Sequence, residues 1–150
     1  MKRTGNERTA ENAVRLPCGC ANLRRAARVI TRLYDQALRP SGLGAAQFTL
    51  LQALNTAPGI SQKQLGRLLE IDSTTLTRTL APLLRAGWLR AAVGDDRREL
   101  HLALTAAGKR AYRRALPLWE RAQQQFVRAL GADNWHRLME LAVQTAGVGH

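Results

Sequence analysis

The chain has 150 residues, enough for one domain with a real core and too short for several. Its 23 Lys and Arg against 11 Asp and Glu give a formal net charge of +12, which favours a polyanionic partner through counterion release and electrostatic steering. No apolar run approaches the roughly 18 residues of a membrane span, and Lys2 and Arg3 precede no apolar stretch, so no membrane segment or secretory signal is expected and a reducing cytoplasm is the expected location.

Residues 1–16 are polar and charged and are expected to form a flexible N-terminal arm. Residues 17–146 read as a single domain. Pro17 opens a long helix in which Leu23, Ala27, Ile30, Tyr34 and Leu38 recur at helical spacing, and Pro40-Ser41-Gly42 closes it. The only cysteines, Cys18 and Cys20, flank Gly19 at its start. A helix N-terminus favours the thiolate, and Arg24 and Arg25 follow within a turn or so. Three readings stay open for the pair: inert small residues, a redox-sensing thiol, or half of a soft-metal site, although two ligands alone make no site. Residues 43–57 form a second helix with Phe48, Leu51 and Leu54 inward, ended by Ala57-Pro58-Gly59.

A third helix starts at Ser61, where Ser61 and Gln64 make a capping box. Leu65, Leu68 and Leu69 give it a narrow apolar stripe. Glu70-Ile71-Asp72 is short enough to be only a turn, and Asp72 suits the N-cap of the next helix. In that helix Leu76, Leu80, Leu83 and Leu84 share one face, while Thr74, Thr75, Arg78, Ala81 and Arg85 fall opposite. The outer face is short hydroxyls and arginine with no acid, which suits a phosphate-lined groove. Threonine reads base edges or the thymine methyl, and arginine can take guanine O6 and N7 together. A solvated Thr-rich helix is the plainer alternative. Threonine is a mediocre helix former, however, and four of them within residues 74–79 need a reason. Pro82 is expected to bend the helix and Gly87 to stop it.

Residues 88–93 and 99–104 are each of strand length, and Leu100, Leu102 and Leu104 alternate onto one face. The charged link Gly94-Asp95-Asp96-Arg97-Arg98 makes a hairpin whose tip carries Arg97 and Arg98, a shape that fits a narrow minor groove. Thr105 caps a helix running to about Leu130, with Pro117 expected to kink or break it. Leu116, Trp119, Phe126 and Leu130 supply its apolar surface, and Lys109-Arg110 and Arg113-Arg114 lie opposite. Gly131 stops it, and Asp133 is expected to cap a last helix containing Trp135, Leu138, Leu141 and Ala142. Long amphipathic arms on so small a unit have nothing of their own to bury against, which points to a two-fold partner.

The chain resembles the MarR-type winged helix-turn-helix regulators. The residues that carry the likeness are Ser61-Gln62-Lys63-Gln64-Leu65, Ser73-Thr74-Thr75-Leu76-Thr77-Arg78, Leu84-Arg85-Ala86-Gly87-Trp88-Leu89-Arg90 and the stretch from Asp96 to Gly108. The likeness covers about residues 23–141. It implies a wing braced by Asp96 and Arg98 with a tip arginine in the minor groove, and an obligate homodimer built from the first and last two helices. It also implies a small aromatic or oxidant effector. In such families the effector cleft lies near positions such as Leu33, Phe48, Leu51 and Tyr112, which by spacing alone read as core. One branch senses organic hydroperoxides through a cysteine near the start of the first helix, a placement similar to that of Cys18 and Cys20.

The expected fold is mainly α with a small β-wing: a winged helix-turn-helix over about 43–104 and dimerisation helices over about 17–39 and 105–146. The expected function is a sequence-specific DNA-binding transcriptional regulator, a repressor released by a small effector or thiol oxidation, on a palindromic operator in double-stranded DNA. The DNA-contacting set is Ser61, Gln62, Lys63, Thr74, Thr75, Arg78, Arg85, Asp96, Arg97 and Arg98. A non-specific nucleic-acid binder and a winged-helix protein-interaction module are the alternatives. His101, His136 and His150 pair with no second ligand, and no nucleophile–base order or phosphate loop is present. Neither an enzyme nor a metal or cofactor is therefore expected.

Overall fold

The computed structural model describes residues 17–94 and 99–148. The expected arm, the wing-tip residues Asp96, Arg97 and Arg98, and His150 lie outside them. In chain order come α1 (Gly19–Leu38), a 3-10 turn (Arg39–Ser41), α2 (Ala45–Thr56), α3 (Gln62–Leu68) and α4 (Ser73–Arg85). The strands β1 (Leu89–Val93) and β2 (Leu100–Leu104) follow, then α5 (Ala106–Leu130) and α6 (Ala132–Gly147). The fold is mainly α with a two-stranded wing. Two compact units divide within α1, after Arg32. In the first, Leu23 and Val29 of α1 remain 54% and 50% exposed.

The second unit holds the winged helix. Its core is leucine-rich: Leu38, Leu50, Leu51, Leu54, Leu65, Leu76, Leu80, Leu83 and Leu102 are all buried around Phe48. Phe48 stacks on Tyr112 at 5.5 Å and on Trp119 at 5.7 Å between ring centroids, tying α2 to α5. The N-terminus of α2 has Gly44 at its cap; Gln47 Oε1 accepts from Gly44 N–H at 3.0 Å, but glycine has no side chain to accept from the first turn. Asp35 near the end of α1 supplies the carboxylate instead, accepting from Ala45 N–H at 2.7 Å.

β1 and β2 pair antiparallel, with Leu89 opposite Leu104 and Val93 opposite Leu100. The segment after α2 joins them. Gly59 N–H donates to Leu102 O and Leu102 N–H donates to Ile60 O, both at 3.0 Å, and Ser61 bridges to His101. The wing base is thus anchored on a third extended segment that the sequence presents only as a helix breaker. Leu102 and Leu104 face the core as expected, whereas Leu100, farther out on the wing, is 43% exposed.

Neither proline breaks its helix. α4 runs through Pro82 to Arg85 and α5 runs through Pro117 to Leu130. The carbonyls that lose a donor belong to Arg78 and Arg113, both exposed residues, where water can replace the missing bond. Thr105 caps α5 as expected, accepting from Gly108 N–H at 3.1 Å. Asp133 does not cap α6: Gly131, at φ +81, ends one helix and starts the next, and Asp133 lies in the first turn. Its charge still suits the positive end of α6. No residue of α6 is buried, and Leu141 and Val143 are 57% and 75% exposed.

Candidate nucleic-acid interface

Two short helices and their caps build the interface. Ser61 accepts from Gln64 N–H at 3.2 Å, and Gln64 Oε1 accepts from Ser61 N–H at 3.0 Å, which closes the capping box. Ser61 is 1% exposed, so its hydroxyl is spent on the cap and on no outside partner. It positions α3, and its burial leaves the hydroxyl almost no surface for the phosphate contact expected from sequence. Gln62 is half-buried, and Lys63 and Arg67, one turn apart, are exposed. Arg67 was legible from that i, i+4 spacing and belongs with Lys63. Leu65 is buried, but Leu68 is 61% exposed and drops out of the apolar stripe.

The turn is tight. Glu70 adopts φ +51, and Ile71 N–H returns to Gly66 O at 2.9 Å. A Cβ on Gly66 would lie 3.1 Å from Ile71 O and 3.4 Å from a Leu76 methyl, so the helices cross where glycine lets them approach. Asp72 then caps α4, accepting from Thr75 N–H at 2.9 Å. The hydrogen bond from the Thr75 backbone, and then one from its side chain, hold the Asp72 carboxyl below its ordinary value although it is fully solvent-exposed.

On α4, Leu76, Leu80 and Leu83 are buried, while Leu84 is 38% exposed at the edge of that face. Thr74, Arg78 and Arg85 project outward as expected. Thr75 is half-buried beside Asp72, whereas Thr77 is exposed. The helical wheel does not decide this, because Thr77 lies about 60° from Thr74 and Thr75 about 60° from Arg78; what packs alongside the helix does. Thr77 therefore belongs to the outer face more fully than Thr75. Gln62 Nε2 donates to Thr77 Oγ1 at 3.1 Å, locking α3 to α4 on the solvent side. The helix ends in a Schellman motif: Trp88 N–H reaches Leu83 O and Gly87 N–H reaches Leu84 O, each at 3.0 Å, with Gly87 at φ +66.

His101 holds the wing at its base. Its Nδ1 lies 2.7 Å from Gly59 O, its Nε2 lies 3.9 Å from the Glu99 carboxylate, and the ring packs so close to Gly94 that a Cβ there would sit 2.5 Å from Nε2. At the start of the chain's first helix, Cys18 and Cys20 are exposed free thiols. Cys18 O accepts from Asn22 N–H at 3.2 Å, which puts Cys18 at the helix start and Cys20 in its first turn. Among the described residues no three His, Cys, Asp or Glu cluster as metal ligands, and no helix is long and apolar enough to cross a membrane.

Comparison with known proteins fits this geometry. A sequence model of the MarR family matches residues 41–99. The chain is 31% identical over 90 residues to the uncharacterized HTH-type transcriptional regulator YwoH of Bacillus subtilis, an alignment covering 60% of this chain and 66% of that protein. The match thus spans slightly under two-thirds of that relative's length. The structure of the M. tuberculosis transcriptional regulator MosR in complex with DNA superposes with a TM-score of 0.80 at 34% identity, covering 88% of this chain and 96% of that one. The Streptomyces coelicolor transcriptional regulator PcaV, solved with its natural ligand, gives a TM-score of 0.80 at 27% identity, covering 92% and 99%.

Proposed function

The chain belongs to the MarR family of transcriptional regulators, and from that premise we propose that it is a homodimeric repressor that reads a palindromic operator. The observation that carries the proposal is the outer face of α4: Thr74, Arg78 and Arg85 are exposed, with Thr77 beside them and no acid within residues 73–85. Thr74, Thr77 and Arg78 read base edges in the major groove, with Thr75 at the margin. Gln62, Lys63, Arg67 and Arg85 contact phosphates, and Arg97 and Arg98 work in the minor groove with Asp96 bracing them. The DNA-bound state of MosR supports this reading. The two-fold pairing is supported by the exposed apolar residues of α6 and by those of α1.

Selection of duplexes from a random pool tests it. A palindromic sequence should emerge, and Arg78→Ala should cost about 1–3 kcal/mol and relax preference at one base pair per half-site. An Arg78→Ala variant that selects the same sequence would show that the wrong face has been assigned. Sedimentation should show a dimer at micromolar concentration, and a stable monomer would contradict the pairing.

Release by an effector follows the same reading. PcaV binds a natural ligand, and a small aromatic or oxidant effector would free DNA by favouring a helix spacing that misfits the operator. The exposure of both Cys18 and Cys20 at a helix start favours thiol oxidation as one such signal. Replacing both by Ser should abolish release by peroxide; unchanged release removes the redox branch.

A further inference from the structure

Positive charge is distributed unexpectedly for a chain whose reading head is the winged unit. Residues 43–104 carry seven Lys and Arg against five Asp and Glu, so the head is close to balanced. The first half of α5 is different. Lys109, Arg110, Arg113 and Arg114 are all exposed, and residues 106–117 contain no acid. No ion pair reaches these four among the described residues.

This arrangement works against the helix that carries it. Lys109–Arg113 and Arg110–Arg114 are like charges at i, i+4, which repel. Lys109, at the end of the first turn, also meets the positive end of the helix dipole, and α5 has no acid in that turn. A local rule broken twice with no compensating contact among the described residues marks a functional surface.

Its position is fixed by a clamp on the exit of the recognition helix. Thr105 Oγ1 donates to Gly87 O at 2.6 Å, and Thr105 N–H donates to Trp88 O at 3.0 Å. Gly108 packs so tightly on Trp88 that a Cβ would lie 2.0 Å from its carbonyl oxygen. At about 1.5 Å per residue, Lys109 and Arg114 stand roughly 6 and 14 Å along α5 from that clamp. The buried side of α5 is Gly108, Ala111 and Ala115, so the four cations lie on the opposite side.

We propose that Lys109, Arg110, Arg113 and Arg114 form a second, sequence-independent phosphate-binding ridge that holds duplex DNA flanking the operator. The ridge begins one turn beyond the clamp that ties α5 to the exit of α4. It adds affinity and length to the footprint without adding base readout, because flexible cations facing a backbone register charge and not sequence. The proposal rests on the DNA-binding reading above.

The test uses the full-length protein and the sequence recovered from the random pool, placed in a duplex of about 20 base pairs that covers two half-sites, or in one of about 40. The variant replaces all four residues by Gln, which keeps helix propensity and removes charge. On the long duplex it should bind about tenfold more weakly than wild type, with a log–log salt slope shallower by about 0.9 per phosphate lost. On the short duplex it should match wild type. Equal loss on both lengths, or no loss on either, overturns the ridge. Failure of wild type to prefer any sequence instead overturns the underlying reading, so the two failures are separable.

Discussion

Gln62 in the first turn of α3 and Thr77 in the second turn of α4 are joined by an exposed hydrogen bond of 3.1 Å across the solvent side of the helix pair. The bond costs Gln62 some of its freedom and ties its amide to Thr77 on the exposed side of α4. An exposed bond of this kind is worth about 1 kcal/mol or less to the fold. Thr77→Val should therefore leave the unfolding midpoint nearly unchanged while weakening binding to the selected duplex several-fold. A gel shift indistinguishable from wild type would remove Thr77 from the interface.

Ser61 and Lys63 are two residues apart and should behave as different kinds of residue. Ser61→Ala deletes a buried cap and should destabilise the protein by about 1 kcal/mol, with no change in salt slope among the molecules that remain folded. Lys63→Gln should spare stability and flatten the salt slope by about 0.9 for each phosphate it contacts. Denaturant unfolding and salt titrations on both variants check the pair. A shallower slope for Ser61→Ala would return it to the contact set.

Asp72 gives α4 a pH-sensitive start. Its folded carboxyl is held below its ordinary value by the bonds from Thr75, so the cap contributes fully above the unfolded value of about 3.9 and is lost as pH falls through the folded one. Asn can cap without titrating. Thermal melts at falling pH should therefore show a smaller acid-side loss in Asp72→Asn than in wild type. Parallel curves would show that the cap does not titrate with folding.

Gly108 should be the least replaceable glycine in the helical framework. A methyl group there meets Trp88 O at 2.0 Å, backbone against which no rotamer change helps. Gly108→Ala should cost about 2–4 kcal/mol through overpacking. Gly66→Ala, whose new atom would lie 3.1 Å from Ile71 O, should cost less. Chemical denaturation of the two variants ranks them, and a stable Gly108→Ala would mean that α5 can pull away from the wing.

Signals that act over three or four residues could be read before any coordinates. The Ser61–Gln64 box and the Asp72 and Thr105 caps each involve partners three residues apart, the Gly87 stop partners no more than five apart, and all four are present. The inward leucines of α4 follow from the same short-range periodicity. What chain order concealed depends on partners distant in sequence. Asp35 caps α2 from ten residues away, and Gly59 and Ile60 pair with Leu102 across the wing. Ser61 loses its surface because that pairing buries it, and Thr75 gives way to Thr77 because Asp72 and the neighbouring helix decide which edge is covered. A cap needs only the next turn of its own helix, whereas exposure is set by whatever packs alongside, and that is decided only when the chain closes on itself.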